Sequence, residues 1–190
     1  SIGQRYIRLC REIYPNANID IYRHSFQSPI LDIDHYNRSG EKQYGIDKKY
    51  NIRNTYQIID PIYDKYDFAF ICTPTSTHVK LAEHLNANLI PTLVEKPLYD
   101  AWDPLNRRCH VDHTPLYIGY QLRVDPHLSK VKSLLSSLGD IISCNATWIE
   151  PLSKAHPWEE DYKKGYAARR DLGGGVINCY SHEIDYLLYL

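Results

Sequence analysis

Two residues of this sequence, Lys96 and His182, stand where acid-base chemistry could be done. Lys96 lies in "TLVEKPLYD", residues 92–100, where an apolar, strand-like run ends on Glu95, Lys96 and Pro97. Proline donates no backbone hydrogen bond and favours extended geometry in the residue before it, so Lys96 is expected at a fixed strand end. The alternative interpretation is a solvated Glu-Lys pair in a loop.

His182 belongs to "SHEIDYLLYL", which predicts a helix with His182 in its first turn. Four polar residues share one face of that helix at spacings i, i+3, i+4 and i+7: His182, Asp185, Tyr186 and Tyr189. The opposite, apolar face carries Ile184, Leu187 and Leu188. The polar face fits a pocket wall, whereas a solvated histidine on an amphipathic helix is the alternative.

The elements that must position these residues alternate between helices and strands. A helical stripe runs from the start of the chain to Pro15, and residues 18–22 are predicted as a strand. Apolar strands are predicted in "YDFAFICTP" and "LIPTLVEKP", with the helix "STHVKLAEHLNAN" between them. Continuous apolar strands separated by helices indicate a parallel sheet covered on both faces, the doubly wound α/β class. Residues 23–60 are expected to form loops with one or two minor elements.

Ligands of doubly wound folds bind at the carboxyl ends of the strands. Both "CTPTSTH" and "EKP" follow strands, so we expect them to face one crevice.

Composition bounds the class of protein. The chain has 190 residues and a formal net charge of -1, which gives no basis for binding nucleic acid or an anionic membrane. No apolar run approaches the ~20 residues of a membrane helix. The five cysteines are odd in number and scattered, which favours a reducing compartment, and we expect the cytoplasm.

Five blocks together resemble the Gfo/Idh/MocA family of NAD(P)-dependent oxidoreductases. They are, in the family's order, "SIGQRY", "ICTPTSTHVKLAEH", "VEKPL", "GYQLRVDPHL" and "YAARRDLGGGVINCYSHEIDYL". The resemblance implies a Rossmann dinucleotide-binding domain over residues 1–122 and the start of an α/β domain with an open sheet over residues 123–190. Because the sequence has no methionine and ends inside an amphipathic run, we read it as a fragment that lacks the first Rossmann strand and most of the second domain.

The resemblance also implies which residues bind the cofactor. Gly3 would be the third glycine of the nucleotide fingerprint, with backbone N–H groups of Ser1 and Ile2 facing a pyrophosphate. Arg23, with His24, stands where NAD enzymes carry an acid, which favours NADP over NAD; a solvated strand-end arginine is the alternative. The remaining cofactor contacts expected by resemblance are Thr73, Pro74, Thr75, His78, Glu95 and Lys96. For His78 a capping or packing role is an equal alternative.

By resemblance, Lys96 and His182 act on the reacting hydroxyl of a sugar or nucleotide-sugar substrate. Two cationic groups near one oxygen are expected to depress each other's pKa. The substrate contacts expected in this site are Tyr120, Arg123, Trp158, Arg169, Asn178 and His182. Many relatives carry an aspartate three or four residues before the histidine; here Asn178 and Cys179 stand there, so a Lys-Asp-His trio is absent.

Several alternatives stay open from the sequence. The aromatic residues could pack between domains and the arginines could form salt bridges. The motif "CHVDH", residues 109–113, could mimic a metal cluster, but it lacks a second ligand pair at matching spacing, and we expect no metal. A non-catalytic nucleotide- or sugar-binding relative is the second candidate function. The resemblance also allows a homo-oligomer formed through the sheet of the second domain.

Overall fold

The structure is a computed structural model that describes residues 2–23, 39–41, 49–57, 65–100, 109–155 and 160–190. The α-helices are α1 (Ile2–Ile13), α2 (His78–Ala87), α3 (Pro126–Leu135), α4 (Leu152–Ala155), α5 (Val176–Cys179) and α6 (Ser181–Tyr189). The strands are β1 (Asp20–Arg23), β2 (Asn54–Gln57), β3 (Ala69–Ile71), β4 (Thr92–Val94) and β5 (Leu116–Ile118). Short 3-10 helices span Thr75–Thr77, Gln121–Val124, Tyr166–Ala168 and Arg170–Leu172.

The chain folds as two compact units, Ser1–Tyr66 and Asp67–Leu190. The division into residues 1–122 and 123–190 therefore stays a prediction about the domains. Within the described residues, no helix combines the length and the apolar character that crossing a bilayer requires.

In the first unit, strands β1 and β2 pair in parallel, with Asp20 opposite Asn54. Strand β1 falls on the segment predicted as a strand. Strand β2 falls in the region expected to be mostly loop, because "NTYQ" is short and polar and shows neither an apolar run nor a clear alternation.

A buried carboxylate ties the two strands together. The Asp20 side chain is 1% exposed and accepts two hydrogen bonds from Arg53, at 2.9 Å from Nε and 2.5 Å from Nη2. Asn54 Nδ2 and the Tyr66 hydroxyl donate to the same carboxylate at 3.2 and 2.8 Å. The hydrogen bonds from Arg53 hold the pKa of Asp20 below its ordinary value, against the opposing effect of burial.

In the second unit, strands β3, β4 and β5 form a parallel sheet in that order. Its core contains Ile71, Ala82, Val94 and Leu98, and the residues packed against it are Val79, Leu81, Leu85, Cys109 and Leu116. Helix α2 thus turns its apolar stripe onto the sheet. The crossover from β3 through α2 to β4 is the parallel βαβ unit that the pattern predicts.

We expect Asp20→Asn to destabilise the first unit by about 1–3 kcal/mol, because it removes a charged acceptor and leaves the Arg53 guanidinium without a carboxylate. The matched control is Glu12→Gln, which removes an exposed i,i+4 ion pair with Arg8 and should cost little. Urea denaturation followed by circular dichroism measures both changes. An Asp20→Asn variant as stable as the control would contradict the assigned role of the carboxylate.

The same group sets a pH dependence. Because the folded-state pKa of Asp20 is lowered, its stabilisation is complete above the pKa of the unfolded carboxyl group, about 4, and is lost as the pH falls through the lowered folded value. The Asp20→Asn variant should therefore lose less stability on acidification than the parent chain.

Candidate active site

The parallel sheet of the second unit brings two loops with polar side chains to one edge: the loop after β3, with its threonines, and the loop after β4, with Lys96. Ile71 and Val94 are partners in the ladder, so the segments that follow β3 and β4 leave the sheet side by side. Glu95 N donates to Ile71 O at 2.9 Å and Gly119 N donates to Val94 O at 2.8 Å, which extends the alignment to the end of β5. The predicted meeting of "CTPTSTH" and "EKP" at one edge is observed.

Lys96 reaches from this edge to the end of helix α5. Its Nζ donates to Cys179 O at 2.5 Å and to Asn178 O at 3.3 Å, both in half-buried surroundings. Carbonyl groups at a helix end have no intrahelical partner and carry partial negative charge. Burial lowers the pKa of Lys96, and the charges of Glu95 and Glu183 oppose that shift.

His182 lies beside the same cation. Burial lowers the pKa of His182, and the positive charge of Lys96 lowers it further. The Tyr120 ring packs edge-on against the imidazole, with centroids 5.9 Å apart, and His182 Nε2 lies 3.4 Å from Gln121 Nε2. In the part of the chain that the structure describes, the buried Nδ1 atom has no hydrogen-bond partner. The Nδ1 atom is therefore available for a further hydrogen bond.

Helix α6 turns its polar face inward. Asp185 is 7% exposed, whereas Leu188 on the apolar face is 80% exposed. That this polar face lines a pocket wall stays a prediction.

The triple glycine docks the segment before α5 onto the loop that follows β3. Gly173 has φ +83°, and a Cβ atom there would lie 2.7 Å from Thr75 Cβ and 2.9 Å from Ser76 N. The Tyr166 hydroxyl donates to Gly173 O at 3.1 Å and lies 2.5 Å from Thr75 Oγ1. Only a residue without a side chain permits this approach.

Asn178 secures the same junction. Its Nδ2 donates to Asp100 O at 2.8 Å and to Gly173 O at 2.9 Å. Both amide hydrogens are thus used by the protein, and the backbone of Asn178 helps to hold Lys96. The amide nitrogen thus has a structural role, and a contact of Asn178 with a substrate stays a prediction.

The two predicted substrate-binding arginines are in ion pairs. Arg123 makes a two-pronged pair with Asp185, with its shortest contact 2.7 Å from Nη2 to Oδ1. Arg169 pairs with Asp171 at the surface. This is the arrangement named as the alternative for the arginines, and their substrate contacts stay a prediction.

The predicted cofactor residues divide between the two units. Ile2 and Gly3 open α1, and Arg23 is the last residue of β1. Thr73, Pro74 and Thr75 follow β3, where Thr73 Oγ1 lies 2.6 Å from Thr77 Oγ1 and Thr75 is 3% exposed. His78 is 1% exposed, with both ring nitrogens against main-chain carbonyls, which favours its packing role. Ser1, His24 and Trp158 lie outside the described residues.

Glu183 is a charged member of the site that the sequence reasoning missed. Its charge raises the pKa of both Lys96 and His182, and its Oε2 atom is buried without a hydrogen-bond partner among the described residues. An acid directly after the candidate histidine, in the first turn of a helix, was the available signal. The sequence placed Asp185 on the polar face of this helix, but it did not indicate that Asp185 pairs with Arg123 or that Tyr166 contacts Thr75.

The motif at residues 109–113 packs against helix α2. His110 N bonds to Glu83 Oε1 at 3.0 Å and His113 N bonds to Asn86 Oδ1 at 3.1 Å. Across the described ranges, no group of three or more His, Cys, Asp or Glu side chains is placed to hold a metal ion.

The donor set at this edge fits a dinucleotide. Threonine hydroxyls and a lysine ammonium stand at the carboxyl ends of adjacent parallel strands, where ribose hydroxyls and an amide need such partners. Within the second unit, Thr73 and Lys96 are the residues that would hold the nicotinamide side of such a cofactor.

Comparisons with known proteins agree with this geometry. Residues 30–115 match the Gfo/Idh/MocA family, described as an oxidoreductase family with an NAD-binding Rossmann fold. Two similar solved structures are a myo-inositol 2-dehydrogenase from Lactobacillus plantarum, at 18% identity and a TM-score of 0.54, and a Gfo/Idh/MocA family oxidoreductase from Vibrio cholerae, at 20% identity and a TM-score of 0.50. They show a shared fold. No curated protein matches the chain.

The aligned lengths are unequal. The match covers 74% of this chain and 40% of the Lactobacillus protein, and 72% of this chain and 41% of the Vibrio protein. The chain therefore spans about two fifths of the length of either solved structure.

We expect Gly173→Ala to destabilise the second unit by about 1–3 kcal/mol more than a left-handed alanine alone would, because the new methyl group overlaps Thr75 and Ser76. Gly139→Ala is the matched control, since Gly139 has φ +84° and nothing within 4 Å of the added Cβ. Urea denaturation of both variants isolates the packing cost from the backbone strain. Equal losses would mean that the contact between the glycine turn and the Thr75 loop is dispensable.

Proposed function

We propose that this chain belongs to the Gfo/Idh/MocA oxidoreductase family, whose model matches residues 30–115, and that its parent protein is an NAD(P)-dependent dehydrogenase or reductase acting on a secondary hydroxyl or ketone of a sugar or nucleotide sugar. The observation that carries the proposal is the half-buried Lys96 ammonium, placed at the carboxyl edge of a parallel sheet and bound to the end of α5, with its charge acting on His182.

Lys96 is the proton carrier in this proposal. When bound, the nicotinamide supplies the hydride chemistry. In the oxidising direction, neutral Lys96 takes the proton from the substrate hydroxyl; in the reducing direction, the ammonium returns it to the carbonyl oxygen. A lowered pKa serves this role, because it makes the neutral amine accessible at a lower pH than in an ordinary lysine.

His182 orients the reacting oxygen. Its imidazole stands next to Lys96, and its lowered pKa favours the neutral ring, which can donate one hydrogen bond and accept another. Tyr120 supports the ring from its edge and gives a sugar an apolar surface on which to lie.

A polyhydroxylated substrate is supported by neutral polar groups around the site. The free amide oxygen of Asn178 and the imidazole of His182 suit hydroxyl groups, whereas Arg123 is already paired with Asp185. The structural neighbour named myo-inositol 2-dehydrogenase is in keeping with this class. Aromatic residues and arginines precede the triple glycine, and such residues suit a sugar that carries a phosphate or a carboxylate. We therefore include these substituted sugars in the proposed substrate class.

Cofactor choice and cellular context extend the proposal. Arg23 at the end of β1 supports NADP as the preferred cofactor, with NAD as the alternative. All five cysteines are free thiols, in keeping with the cytoplasm. A small-molecule sugar substrate and a homo-oligomer formed through the second domain's sheet complete the proposed partners.

The second candidate function, a non-catalytic binding relative, predicts cofactor or sugar binding without turnover.

Lys96→Ala in the full-length protein should lower kcat by about 100- to 10000-fold, because acid-base assistance is lost from the reacting oxygen. Cofactor affinity, measured by NAD(P)H fluorescence, should stay within about threefold of the parent value. Lys80→Ala on the exposed face of α2 is the control and should leave both quantities unchanged. Turnover within about threefold of the parent would make Lys96 structural, and a parent without turnover would favour the binding relative.

Arg23→Asp should reverse the cofactor preference from NADPH to NADH, because a carboxylate repels the 2'-phosphate and can accept from the ribose hydroxyls. Fluorescence titration of the full-length protein with each dinucleotide measures the two affinities. Lys65→Asp, an exposed charge change in the same unit, serves as the control. If the parent protein binds NADPH and NADH equally well, or prefers NADH, then Arg23 does not select the 2'-phosphate of NADPH.

A further inference from the structure

The buried imidazole of His78 spans the two loops that leave the sheet at the candidate site. His78 is the first residue of helix α2 and is 1% exposed. Its Nδ1 lies 2.8 Å from Pro97 O, and its Nε2 lies 2.8 Å from Thr73 O. One ring therefore contacts the loop after β3 and the loop after β4 at once.

Both contacts are with main-chain oxygens, which can only accept. A neutral imidazole has one N–H and donates to only one of the two carbonyls, so the ring binds both of them only in the imidazolium form, with a hydrogen on each nitrogen. In neither state does the ring keep a free polar atom for a cofactor. A direct cofactor contact is thus not the function of the side chain, and its position between the two loops needs another explanation.

The contact of His78 with Pro97 O holds the backbone next to Lys96 in place. Pro97 follows Lys96 directly, so anchoring its carbonyl limits the movement of the backbone from which the lysine side chain extends. The tip of the same side chain is bound to Cys179 O and Asn178 O. Lys96 is consequently held at both ends, by the imidazole at its backbone and by the end of α5 at its ammonium.

The Thr73 contact does the same for the neighbouring loop. Thr73 O is held by the ring, and the Thr73 side chain lies 2.6 Å from Thr77 Oγ1 within the same turn. That turn carries the residues proposed to meet the nicotinamide side of the cofactor.

We propose that His78 is a positioning residue that clamps the cofactor loop (residues 73–77) to the lysine loop (residues 95–100) and so sets the placement of Lys96 relative to the cofactor. The kinetic part of this inference rests on the proposed dehydrogenase function. The clamp itself is a property of the fold and can be measured without turnover.

Two substitutions separate the two contacts. The amide nitrogen of asparagine lies near the position of Nδ1, and that of glutamine lies near the position of Nε2, so each can replace one imidazole donor. His78→Asn retains the bond to Pro97 and loses the bond to Thr73. His78→Gln retains the bond to Thr73 and loses the bond to Pro97.

His78→Gln in the full-length protein should lower kcat by about 10- to 100-fold, because a freed lysine loop misplaces Lys96, while cofactor affinity stays within about threefold. His78→Asn should weaken cofactor binding about tenfold, while kcat at saturating cofactor stays within about threefold. A role in packing alone would not divide these two quantities between the variants.

Hydrogen-deuterium exchange gives the reading that does not depend on activity. The clamp predicts faster exchange confined to residues 95–100 in His78→Gln and to residues 73–77 in His78→Asn. Asn86→Ala is the control: Asn86 lies on the same helix, is 2% exposed and also bridges main-chain groups, through Thr114 O and His113 N, away from both loops. It should accelerate exchange around residues 113–114.

The exchange pattern decides the inference in every case. Faster exchange at the expected loop in each variant supports the clamp, whether or not the parent protein shows dehydrogenase activity. Absence of dehydrogenase activity in the parent would count against the proposed function and not against the clamp. The same exchange change in both variants, or no change at either loop, would overturn it.

Discussion

A lysine ammonium bound to the carbonyl oxygens at the end of a helix organises the second unit. Lys96 Nζ meets Cys179 O and Asn178 O, and no carboxylate among the described residues forms a salt bridge with it. A cation withdrawn from water is unfavourable unless it is hydrogen-bonded, so the backbone at the end of α5 must keep its position. That position depends on the glycine turn, since any Cβ at Gly173 would meet the loop after β3. The hydrogen bonds of the Lys96 ammonium thereby connect the edge of the sheet with the glycine turn and with the start of helix α6.

Side chains that look suited to a ligand are largely used to hold this framework. Arg123 fixes α6 through the buried Asp185, and Asn178 gives both amide hydrogens to backbone carbonyls. His78 joins two loops in the same way. Buried polar groups need hydrogen-bond partners. Where several short segments meet, the polar side chains of one segment find those partners on the next. Among the described residues, the proposed chemistry therefore falls to few groups: the Lys96 ammonium, the His182 imidazole and the amide oxygen of Asn178.

How far the sequence could be interpreted depended on the local signal. Strands β3 and β4 and helix α2 were predictable, because apolar runs bounded by Pro, Asn and Thr define them without reference to the rest of the chain. Strand β2 was not, since its polar residues become a strand only by pairing with β1 and surrounding the buried Asp20. Lys96 and His182 could be proposed from their motifs. Three contacts join residues that are far apart along the chain, and only the fold brings them together: His78 with Pro97, 19 residues apart, Arg123 with Asp185, 62 apart, and Tyr166 with Thr75, 91 apart.

The absence of an aspartate before His182 changes the charge balance of the site. An acid at the position of Asn178 would place a carboxylate close to Lys96 and favour the ammonium. Here burial lowers the pKa of Lys96 and outweighs three opposing groups: the Cys179 side chain first, then the carboxylates of Glu95, from its own loop, and Glu183, from the turn that carries His182. Lys96 is thus moved toward its neutral form by desolvation and moderated by two acids, one on each side of the junction between the sheet and helix α6. A pKa lowered in this way is in keeping with the proposed role of Lys96 in proton transfer.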